Sequence, residues 1–244
     1  CHLSNLINPD IVIITNIGEA HIGNLGSKEN IAIEKSNIIE GMSSGGVVLL
    51  PRDSDYFELL QNKVSGKKLR YITFGHSNKS DIQIAEISRV EDRILLKFRV
   101  FGEIFQTSSG IQNISILNNY LPVLGIANIL NYDLNEILKN IENSRVHESR
   151  WQEFDFEFDG GQIKLIDDSY NASPTSMFEA IASIDSYRGE QIFRKIIIIG
   201  DMLELGDLSE KYHSELVSRI NRTNIDHVYF CGEYLTSVFS KLSP

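Results

Sequence analysis

Hydrophobic residues follow two different periods along the chain, and each period predicts a type of element. Continuous β-branched runs at 11–15 and 46–50 predict strands that are covered on both faces. Shorter alternating segments over 69–108 predict hairpins or a mixed sheet. Helical periodicity predicts three helices in the first part of the chain, over 28–42, 114–130 and 133–143.

After Arg150 the pattern becomes a regular alternation of strands and helices. Strands at "QIKLID", "KIIIIG" and "HVYFCG" are separated by helices over 174–187 and 208–221. Such an alternation is typical of a parallel sheet with crossover helices, so the fold class is α/β. The change of pattern predicts two domains, residues 1–148 and 149–244.

Composition and charge restrict the functional class. The formal net charge of −10 argues against a general nucleic-acid binder, which needs a basic face for phosphates. No apolar run is long enough to insert into a membrane. Cys1 and Cys231 lie far apart and have no metal-type spacing, so a cytoplasmic location is expected.

Polar residues collect where the first strand of the second domain ends. The segment "LIDDSYNASPTSM" places Asp167, Asp168, Tyr170 and Asn171 before a helix that Ser173 can cap. One interpretation is a polar turn with an N-cap. The other is a ligand site, because open parallel sheets bind ligands beyond the carboxyl ends of their strands.

One lysine falls within an apolar stripe. At helical spacing Lys35 shares an arc with four apolar residues, Ile31, Ile38, Ile39 and Met42. Its ammonium could simply reach water while its stem packs. Alternatively, desolvation lowers its pKa, and the neutral amine reacts with carbon dioxide to give a carbamate that binds Mg²⁺. His21, on the preceding loop, is then the nearby ligand.

These motifs together resemble the Mur ligase family. "TNIGEAHIGNLGSKENIAIEKSNI" is similar to the signature of its central domain. "DDSYNASPTSM" and "GDMLELGDLSEKYH" are similar to the C-terminal domain of the branch that adds D-alanyl-D-alanine. The resemblance implies the latter part of a central ATPase domain, with a mixed sheet and helices, followed by a Rossmann-like parallel-sheet domain that is truncated.

The resemblance also implies a reaction. ATP phosphorylates the carboxylate of a UDP-N-acetylmuramoyl-tripeptide, and the amine of D-Ala-D-Ala attacks the acyl phosphate in peptidoglycan precursor synthesis. Magnesium and the positioning of two substrates then supply most of the catalysis. The implied protein is a monomer that binds no nucleic acid.

Site residues follow from the same resemblance. His21 matches a magnesium ligand and Lys35 the carbamylated lysine, and with Asn171 they are the candidate catalytic residues. The nucleotide is expected to contact Asn119 through adenine, with Asn118 as a rival, Arg150 through phosphates, and Asp168 on the ribose side. Tyr170 and Asn171 line the cleft, and His213 has a supporting role.

The chain also departs from the family pattern. Ser149 stands where the family has a glycine before the hinge arginine, and no phosphate loop of the Gly-x-Gly-Lys-Thr type occurs in the 244 residues. We therefore expect a fragment that is inactive alone. The alternatives are a sister Mur ligase, a folylpolyglutamate-synthase-like ligase, or a non-catalytic nucleotide-binding module.

Overall fold

The structure is a computed structural model that describes residues 2–91, 93–187 and 194–242. Cys1, part of the sequence argument on cysteines, lies outside these residues. The chain divides into two compact units, Cys1–Asn143 and Ser144–Pro244. Within the described ranges no helix is both long and apolar enough to cross a membrane.

A six-stranded mixed sheet organises the first unit. Its order is β1-β2-β3-β4-β5-β6, with parallel pairing from β1 to β4 and antiparallel pairing from β4 to β6. This confirms the mixed sheet predicted from the alternating segments. The strands are β1 (Ile11–Ile13), β2 (Val47–Pro51), β3 (Arg70–Gly75), β4 (Ile82–Val90), β5 (Arg93–Val100) and β6 (Glu103–Ser109).

Helices accompany this sheet. They are α1 (His2–Ile7), α2 (Ile22–Leu25), α3 (Lys28–Ser36), α4 (Phe57–Gly66), α5 (Ile114–Leu117), α6 (Tyr120–Ile129) and α7 (Leu134–Glu142). The core lies around β2, where every residue is buried. A Cβ at Gly125 of α6 would lie 2.5 Å from Leu49 Cδ2, so only glycine allows α6 to pack this closely on β2.

Two predicted helices are interrupted. The α-helix that begins at Lys28 ends at Ser36, and a 3₁₀ turn continues it from Asn37 to Gly41. The predicted helix over 114–130 breaks between α5 and α6. Pro122 explains this break, because in a continuous helix its ring would clash with the carbonyl of Asn118. The break leaves Asn118 and Asn119 between the two helices.

The described residues of the second unit form two separate two-stranded sheets. β7 (Gln152–Phe158) and β8 (Gly161–Asp167) form an antiparallel hairpin, whereas β9 (Ile196–Gly200) and β10 (His227–Cys231) are parallel. The expectation that β8 shares one parallel sheet with β9 and β10 is therefore wrong. The helices are α8 (Pro174–Ser186), α9 (Ser209–Ile220) and α10 (Glu233–Val238).

Local signals account for α8 and β9. Ser173 caps α8 by a capping box with Ser176, and Pro174 occupies the first turn, as predicted. In β9 the side chains alternate: Ile197 and Ile199 are buried, whereas Ile198 is 75% exposed. The parallel strands β9 and β10 are connected by α9, which is the crossover unit predicted from the sequence.

Candidate nucleotide and acceptor site

Lys35 lies at the end of α3 and reaches back to the loop after β1. Its Nζ donates to the backbone carbonyl of Asn16, at 2.8 Å. Desolvation by burial lowers the pKa of Lys35. The residue as a whole is nevertheless exposed, and solvent screening limits the size of this effect. A lysine amine with a lowered pKa is the group from which a carbamate can form.

The apolar stripe around Lys35 is only partly present. Ile31, Ile39 and Met42 are buried, but Ile38 is 41% exposed. Ile38 lies in the 3₁₀ turn that begins at Asn37, where the helical spacing used for the predicted arc no longer holds. Lys35 therefore lies at the edge of the buried face.

His21 immediately precedes the short helix α2. It adopts the left-handed conformation, with φ of 65°, and its side chain is exposed. Nearby, Lys28 and Glu19 form an ion pair at 3.0 Å that fastens the loop to the start of α3. The strand-loop-helix unit thus carries both predicted metal ligands. Among the described residues, however, no group of three or more His, Cys, Asp or Glu side chains could hold a metal ion.

The asparagines between α5 and α6 differ in their contacts. Asn118 Oδ1 lies 2.9 Å from His76 Nε2, whereas Asn119 is exposed and does not cap α6 with its side chain. The carboxylate of Asp53 accepts hydrogen bonds from the backbone amides of His76 and Ser77, the latter at 3.0 Å. His76 was missed in the sequence, because its contact joins residues 42 positions apart.

The second unit brings Arg150 and Tyr170 together. The Arg150 guanidinium lies over the Tyr170 ring, with Cζ 4.0 Å from the ring centroid. The Tyr170 amide donates to the carbonyl of Ser149 at 3.1 Å. The segment before β7 is therefore tied to the corner after β8 by backbone and side-chain contacts.

The pKa values of the two adjacent acids of this corner, Asp167 and Asp168, are shifted in opposite directions. Burial raises the pKa of Asp168, although hydrogen bonding from the Trp151 amide at 3.1 Å and the charge of Arg150 oppose this effect. Hydrogen bonds from Ser169 and from Ser149 lower the pKa of Asp167. Asp167 thus fastens the corner through its hydrogen bonds. The carboxylate of Asp168 is only partly desolvated, because the residue as a whole is exposed.

Asn171 and Ser149 complete the corner. Asn171 is exposed, and its Oδ1 accepts from the Ala172 amide at 2.9 Å. Ser149 and Trp151, on either side of Arg150, both adopt positive φ, at 54° and 56°. Left-handed backbone at non-glycine residues costs free energy and is enriched at functional sites. The structure thus brings Arg150, Asp168 and Tyr170 together, as the sequence argument requires for a shared site.

The loop after β9 is a second polar corner in this unit. It follows a strand of a different sheet from the corner of Asp168, because β8 pairs with β7 and β9 pairs with β10. His213 of α9 is fully buried beneath this loop, and its Nε2 accepts from the amide of Met202 at 3.0 Å. This contact joins α9 to the loop, and the supporting role of His213 stays a prediction.

Two family models match the chain. The model described as the Mur ligase middle domain matches residues 1–134, and that described as the Mur ligase, glutamate ligase domain matches residues 150–241. A relative from Bacillus subtilis, a UDP-N-acetylmuramoyl-tripeptide–D-alanyl-D-alanine ligase, is 35% identical over 95% of this chain. The chain covers 48% of that relative, so it spans about half the length of the curated relative it matches.

Solved structures show the same fold. MurF from Acinetobacter baumannii matches 98% of this chain and 50% of its own, with a TM-score of 0.86 and 23% identity. MurF from Thermotoga maritima, in complex with ADP, matches 97% of this chain and 52% of its own, with a TM-score of 0.80 and 24% identity. These likenesses extend through both units.

Proposed function

Because this chain belongs to the Mur ligase family, we propose that it forms the central and C-terminal parts of an ATP-dependent ligase. The intact protein joins D-alanyl-D-alanine to a UDP-N-acetylmuramoyl-tripeptide. The observation that carries this proposal is the similarity to the Bacillus subtilis ligase, which extends over nearly the whole chain. Residues 1–148 are assigned to the ATPase part and residues 149–244 to the C-terminal part.

The proposed reaction has two steps. A carboxylate oxygen of the tripeptide attacks the γ-phosphorus of ATP, and the bond to the bridging oxygen breaks, giving an acyl phosphate and ADP. The acceptor amine then attacks the acyl carbon, the carbon–oxygen bond to phosphate breaks, and the amine loses a proton. Positioning and charge stabilisation are the main requirements of such a sequence.

Nucleotide binding is assigned to Arg150, Asp168 and Asn119. Arg150 contacts the phosphates while its guanidinium rests on Tyr170, an arrangement that limits the orientations open to a long side chain. Asp168 accepts from the ribose hydroxyls, and Asn119 contacts adenine, with Asn118 as its rival. Asn118 already contacts His76, which favours the exposed Asn119.

Asn171 is assigned to the acceptor side of the reaction. Its Oδ1 is already occupied by the Ala172 amide, so the carboxamide nitrogen is the group that can donate to a substrate oxygen. A donor at this position can orient the acyl phosphate toward the amine. Tyr170 lines the same cleft and keeps its ring face on Arg150.

His21 and Lys35 are assigned to magnesium. The imidazole of His21 and a carbamate on Lys35 would hold the ion together with nucleotide phosphates, the common partners of Mg²⁺ in proteins. The lowered pKa of Lys35 supports its conversion to a carbamate. The bound ion supplies charge neutralisation for the phosphates. Monomeric state and cytoplasmic location remain predictions.

The test uses the full-length protein that contains this chain. Phosphate release is measured with ATP, D-Ala-D-Ala and a tripeptide precursor bearing either diaminopimelate or lysine, and the product is identified by mass spectrometry. The expected result is release that requires all three substrates and yields the pentapeptide precursor. A parallel assay offers single amino acids with UDP-linked precursors in place of D-Ala-D-Ala, and turnover only there indicates a sister ligase. Nucleotide binding without turnover in either assay indicates a non-catalytic module. Either outcome overturns the proposal.

A matched pair of variants tests the lysine. Lys35 and Lys139 both lie in the last turn of a helix and both are exposed residues. Lys35→Ala should abolish turnover, with partial rescue by added short carboxylates, whereas Lys139→Ala should retain it. Wild-type turnover in Lys35→Ala contradicts the assigned role.

A further inference from the structure

Trp151 is a buried aromatic residue directly before β7. The residue is 1% exposed and is among the largest fully buried side chains of the described residues. The first two residues of the strand, Gln152 and Glu153, are only half-buried, and the following strand residues are exposed. Burial of an indole removes a large apolar surface from water. Trp151 is therefore the residue that anchors this end of the strand.

The indole of Trp151 contributes packing rather than a hydrogen bond. Its Nε1 is buried and has no hydrogen-bond partner in the part of the chain that the structure describes. A buried N–H group without a partner costs free energy instead of contributing it. A phenylalanine ring, which lacks this donor, should therefore be able to replace the indole as an anchor.

The backbone of Trp151 is held in a conformation that bulky residues rarely adopt. Its φ is 56°, in the left-handed region, as is that of Ser149 on the other side of Arg150. Such a conformation persists only where the surrounding contacts impose it. The packed ring supplies one of those contacts at the residue itself. Without the ring, the backbone at this position should relax.

The amide of Trp151 leaves the hairpin ladder to bind a side chain. Gln152 pairs with Asp167 at the end of the ladder, so Trp151 follows in register opposite Asp168. Instead of a backbone carbonyl, the amide of Trp151 has the Asp168 carboxylate as its acceptor, with N and Oδ1 3.1 Å apart. The register returns at Ser149, whose carbonyl accepts from the amide of Tyr170 at 3.1 Å.

This hydrogen bond orients the carboxylate of Asp168 without using all of its acceptor capacity. An ionised carboxylate has about four lone-pair sites on two oxygens, and the amide of Trp151 takes one of them. The bond restricts rotation of the carboxylate and so fixes the direction of the remaining lone pairs. Asp168 is exposed as a residue, so these lone pairs can accept from a ligand.

We propose that Trp151 is a positioning residue, whose buried ring holds the backbone amide that orients the Asp168 carboxylate toward the ribose of the nucleotide. This inference rests on the proposed function, in which Asp168 accepts from the ribose hydroxyls. Trp151 touches no substrate and acts through its own amide. Its loss should therefore reduce recognition of the ribose more than recognition of the phosphates or the rate of the chemical step.

The test compares ATP with 2′,3′-dideoxy-ATP, which lacks both ribose hydroxyls, as substrates of the full-length protein. The ratio of their kcat/KM values measures ribose recognition, because phosphate contacts such as that of Arg150 are common to both nucleotides. Trp151→Leu keeps an apolar side chain without the ring, and should lower this ratio roughly tenfold, as loss of one hydrogen bond to a charged group allows. Trp151→Phe should retain most of the wild-type ratio. The kcat at saturating ATP should change little in either variant.

Two further changes separate positioning from a general loss of stability. Leu216→Ala removes a fully buried side chain from α9 in the same unit, so it should lower the melting temperature and leave the ratio unchanged. Asp168→Asn should lower the ratio by itself. Addition of Trp151→Leu to Asp168→Asn should cause little further loss, because both changes affect the same contact with ribose.

Amide hydrogen exchange at residue 151 provides a readout that does not depend on turnover. Protection of this amide should fall in Trp151→Leu and persist in Trp151→Phe. Unchanged exchange in Trp151→Leu, an unchanged ratio in that variant, or an equal loss of the ratio in the leucine and phenylalanine variants overturns the inference. An equal loss in Leu216→Ala does so as well. Absence of acceptor-dependent phosphate release in the wild type instead contradicts the ligase function.

Discussion

The guanidinium of Arg150 lies 4.0 Å from the centre of the Tyr170 ring, which joins two segments separated by the β7–β8 hairpin. The Tyr170 amide is also bound to the carbonyl of Ser149. Arginine can stack flat on an aromatic face and still donate at its edge, which lysine cannot do in the same way. Tyr170 therefore positions the guanidinium of Arg150 and leaves the N–H groups at its edge available to a phosphate.

We predict that Arg150 and Tyr170 contribute to ATP binding as a coupled pair. Tyr170→Leu should weaken ATP binding about two- to fivefold, since an exposed cation–π contact contributes about 0.5–1 kcal/mol. In an Arg150→Lys background the same change should have a smaller effect. A double-mutant cycle on calorimetric ATP affinity of the full-length protein measures this, with the exposed Tyr229→Leu as control. Strictly additive effects would refute the coupling.

Lys35 should react with electrophiles faster than other lysines of the chain. Its pKa is lowered by desolvation, so at mildly alkaline pH a larger fraction is the neutral, nucleophilic amine. Lys28 and Lys164 are suitable internal controls, because the pKa of each amine is raised. Burial lowers each pKa, but ion pairs outweigh this effect. Lys28 pairs with Glu19, and Lys164 pairs with Asp155 and Glu153. Competitive acetylation followed by peptide mass spectrometry measures the relative reaction rates of the three lysines. Equal rates at the three sites would contradict the prediction.

Asp167 and Asp168 should affect the pH dependence of stability in opposite directions. In the folded state the pKa of Asp168 lies above 3.8. Between 3.8 and that raised pKa, the folded protein therefore binds more protons than the unfolded chain. Stability is therefore lost as the pH rises through this window. For Asp167 the folded pKa is below 3.8, so its contribution is present above that value and is lost as the pH falls.

Asparagine variants test these signs. Asp168→Asn keeps an oxygen for the Trp151 amide and removes the charge. At pH values above the folded pKa of Asp168, this variant should therefore be at least as stable as the wild type. Asp167→Asn should be less stable there, because its hydrogen bonds from Ser169 and Ser149 lose a charged acceptor. Denaturant unfolding across pH, followed by fluorescence of the single tryptophan, measures both. The reverse order would contradict the assignment.

Local signals predicted much of the fold. Ser173 caps α8, as the sequence predicts, and the side chain of Asp133 caps α7. The sequence argument missed β7, although Phe154, Phe156 and Phe158 alternate with polar residues in the strand period. Without β7, the strand β8 could only be assigned to the parallel sheet. Strand pairing depends on distant partners, so local periodicity did not determine it.

The candidate site was predictable as a set of residues but not as a geometry. The family resemblance indicated Arg150, Asp168 and Tyr170, and the structure brings them together. The stacking of Arg150 on Tyr170 and the hydrogen bond from Trp151 to Asp168 join residues that are 17 or more positions apart. The contact of His76 with Asn118 is of the same kind. Such contacts leave no periodic signal.

Ser149 combines a strained backbone with a useful hydrogen bond. Its φ of 54° places it in the left-handed region, which costs a non-glycine residue about 1 kcal/mol. Its hydroxyl donates to Asp167 Oδ2 at 3.0 Å, and such a bond contributes about 0.5–1.5 kcal/mol. The two effects are similar in size and opposite in sign, so a glycine at this position should be nearly neutral for stability.

Glycine and alanine variants separate the two effects at Ser149. Ser149→Gly loses the hydrogen bond but relieves the strain, so its free energy of unfolding should stay within about 0.5 kcal/mol of the wild type. Ser149→Ala loses the hydrogen bond and keeps the strain, so it should be about 1 kcal/mol less stable than Ser149→Gly. Urea unfolding followed through the buried Trp151 reports on the adjacent backbone. If Ser149→Ala were as stable as Ser149→Gly, residue 149 would not be held in the left-handed conformation in the folded chain. The backbone strain assigned to the segment around Arg150 would then be wrong.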